Sequence, residues 1–225
     1  MIIKYSQSKG SQIPRPSVLR LCKLYNLLVE MGDESLFTFS SKDIGDMLGI
    51  ASHNIRKDIS YLLGESGTIG AGYDIKRLKQ QLEDRLGFNI KRHTCIIGLD
   101  SLGIALLNQR LLFNNNFKIV AGFDSSVNRI ETLKTEIHLY PTYEITSVVK
   151  SKTIEFAVIT EPGPDPDKIL ERLVDGGVKG IINFSSRNLS TNRKGVVISN
   201  IDLIGEFRFL VAMITINNFS RENNS

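Results

Sequence analysis

Tryptophan is absent from this chain, and only two cysteines, three histidines and six prolines occur among its 225 residues. Cys22 and Cys95 are too few for a bridged framework or a four-ligand zinc site. Both sit among apolar neighbours, where a free thiol acts as a small hydrophobe. The scarcity excludes a disulfide scaffold, leaves no metal to expect and favours a reducing, cytoplasmic setting. Also missing is any uncharged apolar run of about 18 residues. Met1-Ile2-Ile3-Lys4-Tyr5-Ser6 lacks the apolar core and cleavage site of a signal peptide. The expectation is a soluble intracellular protein with no membrane partner. What is present, 41% apolar and 23% charged residues with 18 glycines, is ordinary globular composition. The length allows one large or two small domains, each with a real core.

Charge divides the chain. Residues 1–92 hold 14 Lys and Arg against 10 Asp and Glu, whereas the rest holds 14 against 14, so the whole excess of +4 lies in the first part. A basic module joined to a neutral one suggests a polyanion partner for the first and a different task for the second, with a randomly basic surface as the competing reading of the charge alone.

In the basic module, Val18, Leu21, Leu24, Tyr25 and Leu28 recur at helical spacing over residues 17–31, opened by Pro16-Ser17 and closed by Gly32. Leu36-Phe37-Thr38-Phe39 alternates like a short strand. Ser40-Ser41-Lys42-Asp43 offers an N-cap for a helix bearing Ile44, Met47 and Leu48 that stops at Gly49. A third helix starts at Ala51-Ser52, with Ser52 as its cap. It turns Ile55, Ile59 and Leu62 inward and His53, Asn54, Arg56, Lys57 and Ser60 outward. Glycines 64, 67, 70 and 72 then suit a β-ribbon with tight turns. A fourth helix from about Asp74 to Leu86 ends at Gly87. Helix, strand, helix, helix, ribbon is the order of a winged helix, whose third helix enters the DNA major groove. His53, Asn54, Arg56 and Lys57 are side chains that can reach base edges or phosphates. A plain solvated helix face is the competing reading of the same residues.

The neutral module runs strand, turn, helix through Thr94–Gly98 and Leu99–Leu107. Apolar runs follow at 117–124, 154–160, 180–184 and 196–198, suiting strands covered on both faces, as in a doubly wound parallel sheet. Gly98-Leu99-Asp100-Ser101-Leu102-Gly103 is similar to the dinucleotide fingerprint in which a helix N-terminus receives a pyrophosphate. Asp124, 21 positions after Gly103, is spaced as the acid that binds a ribose hydroxyl. The fingerprint's second glycine is here Asp100. A carboxylate about 4 Å from a phosphate charge costs on the order of 4 kcal/mol at an effective dielectric of about 20. The strands consume the module up to an apolar terminal helix over 202–216, so little chain is left for a substrate domain. His53, His93 and His138 are not placed as general bases. No catalytic residue is expected.

The fold class expected is α/β: a helix-rich winged-helix domain over residues 1–88, a Rossmann-like doubly wound parallel sheet over 89–200, and a C-terminal dimerisation helix and tail over 201–225. This architecture resembles the Rex family of redox-sensing transcriptional repressors from about Ile13 to Ile214. The residues that carry the resemblance are Ile13-Pro14, Arg20-Leu21, Tyr25, Ser41, the run from Ile55 to Tyr61, and Gly70-Ala71-Gly72-Tyr73. In the second module they are Gly98 to Gly103, Ala121 to Asp124, Thr160 with Pro162, Gly177 to Phe184, and Asn200 to Leu203. The resemblance implies a homodimer on a palindromic double-stranded operator, with NADH closing the dimer and releasing DNA while NAD+ competes. It also implies an exchanged terminal helix and an inter-subunit pair between Arg20 and Asp202. The implied DNA-facing set is Ser41, Ser52, His53, Asn54, Arg56, Lys57, Ser60, Tyr61, Thr68 and Gly70. The implied NAD(H)-binding set is Gly98, Leu99, Asp100, Ser101, Leu102, Gly103, Asp124, Thr160, Pro162, Asn183 and Phe184.

Four departures accompany the resemblance. Asp100 replaces a glycine, Glu161 stands where valine is common, Gln109 where a tyrosine gates the nicotinamide pocket, and Thr68-Ile69 where the wing tip is usually basic. They leave open a Rex-like paralogue that binds DNA without sensing dinucleotide or responds to another ligand. A small NAD-dependent oxidoreductase is the remaining alternative.

Overall fold

The structure, a computed structural model, describes residues 2–3, 13–32, 38–63, 72–108 and 116–222. The chain divides into two compact units, Met1–Ile90 and Lys91–Ser225.

In the first unit a two-residue antiparallel pair joins β1 (Ile2–Ile3) to β2 (Ile13–Pro14), and α1 (Arg15–Glu30) follows directly. Pro14 is its extended N-cap, and Pro16 lies in the first turn, where fixed φ and a missing N–H suit the start of a helix. β3 (Thr38–Phe39) leads into α2 (Ser41–Leu48), then α3 (Ser52–Leu63), β4 (Tyr73–Asp74) and α4 (Ile75–Leu86). The predicted helices therefore form, each within two residues of its expected start. Ser40 and Asp43 make a reciprocal capping box on α2, Ser40 Oγ accepting from the Asp43 N–H at 3.1 Å. Those contacts with the Ser40 hydroxyl and amide hold the Asp43 carboxyl below its ordinary range. Ser52 differs from expectation: it lies inside α3, and the Ala51 carbonyl accepts the first bonds, from Asn54 and Ile55.

Leu21, Leu24, Leu28, Ile44, Ile55, Ile59, Ile75, Leu78 and Leu82 form one buried core from all four helices. Each buried Leu or Ile contributes roughly 1.5–3 kcal/mol through removal from water. α2 and α3 meet closely because Gly45 has no Cβ; one there would strike the Ile50 carbonyl oxygen. β3 pairs antiparallel with β4, Thr38 opposite Asp74 and Phe39 opposite Tyr73, which ties the base of the expected ribbon. Its glycine-rich tip, with Thr68, Ile69 and Gly70, lies outside the described residues, as do Leu36, Phe37 and Gln109.

The second unit holds β5 (Arg92–Ile97), α5 (Ser101–Asn108), β6 (Phe117–Asp124), α6 (Val127–Thr132), β7 (Leu139–Pro141), a 3-10 turn (Thr142–Glu144) and α7 (Ile145–Ser151). β8 (Ile154–Ile159), α8 (Pro166–Gly176), β9 (Gly180–Asn183), β10 (Val197–Asn200) and α9 (Leu203–Glu222) complete it. Six parallel strands lie in the order β10-β9-β8-β5-β6-β7. The chain winds outward from β5 to β7, then returns to β8 and winds the other way. The reversal between β5 and β8 is the topological switch point of a doubly wound sheet, where such folds open a crevice at the strands' carboxyl ends. β7 adds a strand to the five runs read from the sequence.

Alternate residues of β5 serve opposite faces. Cys95 and Ile97 pack with Ile145, Val149, Leu170 and Leu173 of α7 and α8, while Ile96 packs with Leu107 of α5. Burial pushes the Cys95 thiol far above its ordinary range, as expected of a cysteine used for packing. α9 is different: Leu203, Phe207, Leu210, Val211 and Ile214 all stand more than half exposed. No helix among the described residues is long and apolar enough to cross a membrane.

Candidate nucleic-acid interface and nucleotide crevice

α3 presents one face to its own core and the other to solvent. Ile55 and Ile59 are buried; His53, Arg56, Lys57 and Ser60 are exposed, and Ser52, Asn54 and Tyr61 are half-buried. The Arg56 guanidinium donates to Ser41 Oγ at 2.8 Å, so the first residue of α2 orients the longest side chain of that face. Ser60 Oγ is spent on the Lys57 carbonyl at 2.8 Å. The structure thus brings Ser41, His53, Arg56 and Lys57 to one exposed surface across the α2–α3 turn.

Asp58, between Lys57 and Ile59, was not singled out by its chemistry, and it does not join that surface. It is 1% exposed and takes a bidentate pair from Arg20, Nε to Oδ2 at 2.6 Å and Nη2 to Oδ1 at 2.8 Å. Its carboxylate raises the already high pKa of Arg20. Arg20 therefore braces α1 against α3 within one chain. The other member of the expected pair, Asp202, accepts from the Gly205 N–H at 2.8 Å and caps α9.

The crevice at the switch point is built on bare backbone. Gly98 follows β5 with φ +90°, and a Cβ there would collide with the Glu161 backbone. A Cβ on Gly103 would collide with the Gly98 carbonyl oxygen. Thr160 Oγ1 donates to that carbonyl at 2.9 Å, fastening the turn to the end of β8. Both clashes are with the protein's own backbone, so Gly98 and Gly103 serve the tight turn and the close helix–strand packing of a dinucleotide fold, and at these two positions the residues fit one; the position whose glycine would let a pyrophosphate approach backbone is Asp100.

The polar side chains around the cradle are already engaged. Asp124 is 1% exposed; it accepts from the Leu99 N–H and the Ser126 N–H, each at 2.7 Å, and from Arg129 Nη1 at 2.8 Å. It locks the glycine turn to β6. Arg129 also lies 3.8 Å from Glu161, whose side chain is 56% exposed. Asn183 is fully buried and uses every group it has. Its amide donates to the Arg187 carbonyl and to Asn200 Oδ1, both at 2.7 Å, while its oxygen accepts from the amide and hydroxyl of Ser185. In this arrangement Asn183 and Thr160 shape the crevice, with their donors directed at backbone and Asn200. Asn200 and Ser185 belong to the same network and were missed as site residues, since nothing local in sequence pairs 183 with 200. Leu99 is buried beneath the turn, Pro162 is half-buried, and Ser101, Leu102 and Phe184 are exposed at its mouth.

Asp100 caps α5. Its Oδ1 accepts from the Gly103 N–H at 2.9 Å and its carbonyl accepts from the Ile104 N–H at 2.9 Å.

Two family models match the chain, "CoA binding domain" over residues 89–187 and "Putative DNA-binding protein N-terminus" over residues 12–60. A redox-sensing transcriptional repressor Rex of Limosilactobacillus reuteri is 33% identical over 205 residues, 91% of this chain and 95% of that protein. Among solved structures, the Rex-family repressor RSP superposes in two complexes. With β-NAD+ and operator DNA the TM-score is 0.82 at 22% identity, over 95% of this chain and 97% of that one. With β-NADH it is 0.79 at 20% identity, over 93% and 98%. At such identities the likeness shows a shared fold.

Proposed function

The chain belongs to the Rex family of redox-sensing transcriptional repressors, and from that membership we propose that it represses transcription by binding an operator and leaves DNA when NADH is bound. The observation that carries the reading is the presence, in one chain, of an exposed Arg56-Lys57 helix face and a close-packed glycine turn at the switch point of a doubly wound sheet. Arg56, held by Ser41, supplies a base-edge or phosphate contact, and Lys57 a phosphate contact. His53 and Asn54 complete the interface on α3.

Gly98 and Gly103 would hold the dinucleotide, with Thr160 and Asp124 keeping the turn in shape. A bound nicotinamide supplies only its redox state, with no hydride passed to a substrate, so the protein works as a sensor and not as an enzyme. A second copy of the chain is the partner for α9, because that helix exposes apolar side chains while Ile182 on β9 is also 42% exposed. A pair between Arg20 and Asp202 of opposite protomers in one of the two dimer states would compete with the bidentate Arg20–Asp58 pair inside each chain. The site of action is the cytoplasm.

The test is operator binding by fluorescence anisotropy at fixed salt, with NADH or NAD+ titrated in. Loss of operator affinity with NADH and none with NAD+ is expected; an operator affinity indifferent to saturating NADH contradicts the reading. One observation favours a second reading, a cofactor-blind repressor: the Asp100 carboxylate already sits on the α5 N-terminus.

A further inference from the structure

The N-terminus of α5 has a carboxylate on it that belongs to the protein itself. We propose that Asp100 is a built-in competitor for the ligand's diphosphate, and that it sets the affinity of the crevice for ADP-containing dinucleotides. The inference rests on the reading that this crevice takes such a ligand. Asp100 acts in two ways. Its Oδ1 occupies the Gly103 N–H, one of the unpaired donors that a helix N-terminus offers to an anion. Its negative charge is half-buried beside the Gly98 turn, where like-charge repulsion is screened less than in open water.

The neighbouring charges do not cancel it. Arg129, a cation at this end of the crevice, already shares Nη1 between Asp124 at 2.8 Å and Glu161 at 3.8 Å. Asp124 is paired by that contact and hydrogen-bonded by two backbone N–H groups. Glu161 is only loosely paired, and Asp100 has no cation beside it in the hydrogen-bond and ion-pair network described above. A dinucleotide must therefore displace the Asp100 carboxylate from its N–H and tolerate its charge nearby. The consequence is a sensor with a raised ligand threshold.

Asp100→Ser removes the charge and keeps a hydroxyl that can cap α5. Full-length wild type and variant are titrated calorimetrically with ADP-ribose, NADH, NAD+ and adenosine, and Asp100→Asn serves as a second charge-free cap should the serine variant fold poorly. The expected result is at least tenfold tighter binding of the three diphosphate ligands, by a common factor, with adenosine unchanged. Glu161→Gln, which relieves a charge already shared with Arg129, tightens them by threefold at most. Tightening of adenosine by the same factor, or of NADH alone, overturns the proposal. A wild type that binds NADH with an affinity unaltered in both variants overturns it and leaves the sensing reading standing. Tight binding by the variants beside a silent wild type supports it and removes the sensing reading. Silence of all chains toward all ligands overturns both.

Discussion

The two units treat their charged side chains in opposite ways. On α3 the groups proposed to meet DNA are held out to solvent, and among the side chains of His53, Arg56 and Lys57 the described hydrogen bonds engage Arg56, through Ser41. Around the crevice at the switch point, Asp124, Arg129, Asn183, Thr160 and Asp100 are all bonded to the protein itself. A surface that reads a long polyanion keeps its donors free, because phosphates are exchanged for water and counterions. A crevice that must hold a tight glycine turn spends its polar groups on that turn. Substitutions should therefore cost affinity in the first region and stability in the second.

The largest effect is expected at Asp124. Asp124→Ala strands the buried Leu99 N–H and releases Arg129, and breaking such a network should cost about 3–5 kcal/mol, measured by urea unfolding of the full chain. Asn183→Ala should follow, at about 2–3 kcal/mol, because Asn200 and Ser185 each lose a buried partner. Arg56→Ala should reverse the pattern. Operator affinity falls by about 1–3 kcal/mol at fixed salt while the unfolding midpoint shifts by no more than about 0.5 kcal/mol equivalent. Equal losses of stability at Arg56 and Asp124 would erase the distinction between the regions.

The smallest effect lies away from both sites, at Glu155, which receives Lys179 at 3.0 Å and Arg92 at 2.9 Å. Lys179 first, then Arg92, hold its carboxyl below the ordinary range. Because the folded pKa is depressed, the contribution is present above the unfolded carboxyl pKa of about 4.3 and is lost as pH falls through the folded value. Glu155→Gln should cost about 0.5 kcal/mol at pH 7 in thermal unfolding, and the gap between the two proteins should close toward pH 3. A gap that widens in acid would reverse the sign.

Much of the architecture was legible because apolar periodicity and punctuation are local properties. Leu21, Leu24 and Leu28 at helical spacing, and Thr94 to Ile97 before Gly98, announce a helix face and a covered strand without reference to the rest of the chain. β7 was not announced, since three residues at a sheet edge carry no period. Helix starts shifted where a backbone carbonyl did the work assigned to a hydroxyl, as at Ala51 and Ser52.

The sites were legible in residue type and less so in role. Asp124 was placed correctly at the end of its strand, but spacing does not say that its oxygens turn inward to Leu99 and Ser126. Asp58 lies in a polar stretch that reads as solvated, and its burial follows only from Arg20, 38 residues away. Asp100 was recognised as foreign to the glycine fingerprint, whereas its bond to the Gly103 N–H needed the folded turn.

The most direct measurement is operator affinity of the full-length protein as a function of NADH concentration, taken in parallel for wild type and Asp100→Ser. The expected result is NADH-driven release in both, with the midpoint at least tenfold lower in the variant. Operator binding that ignores NADH in both proteins would contradict the assignment of this chain as a dinucleotide-controlled repressor.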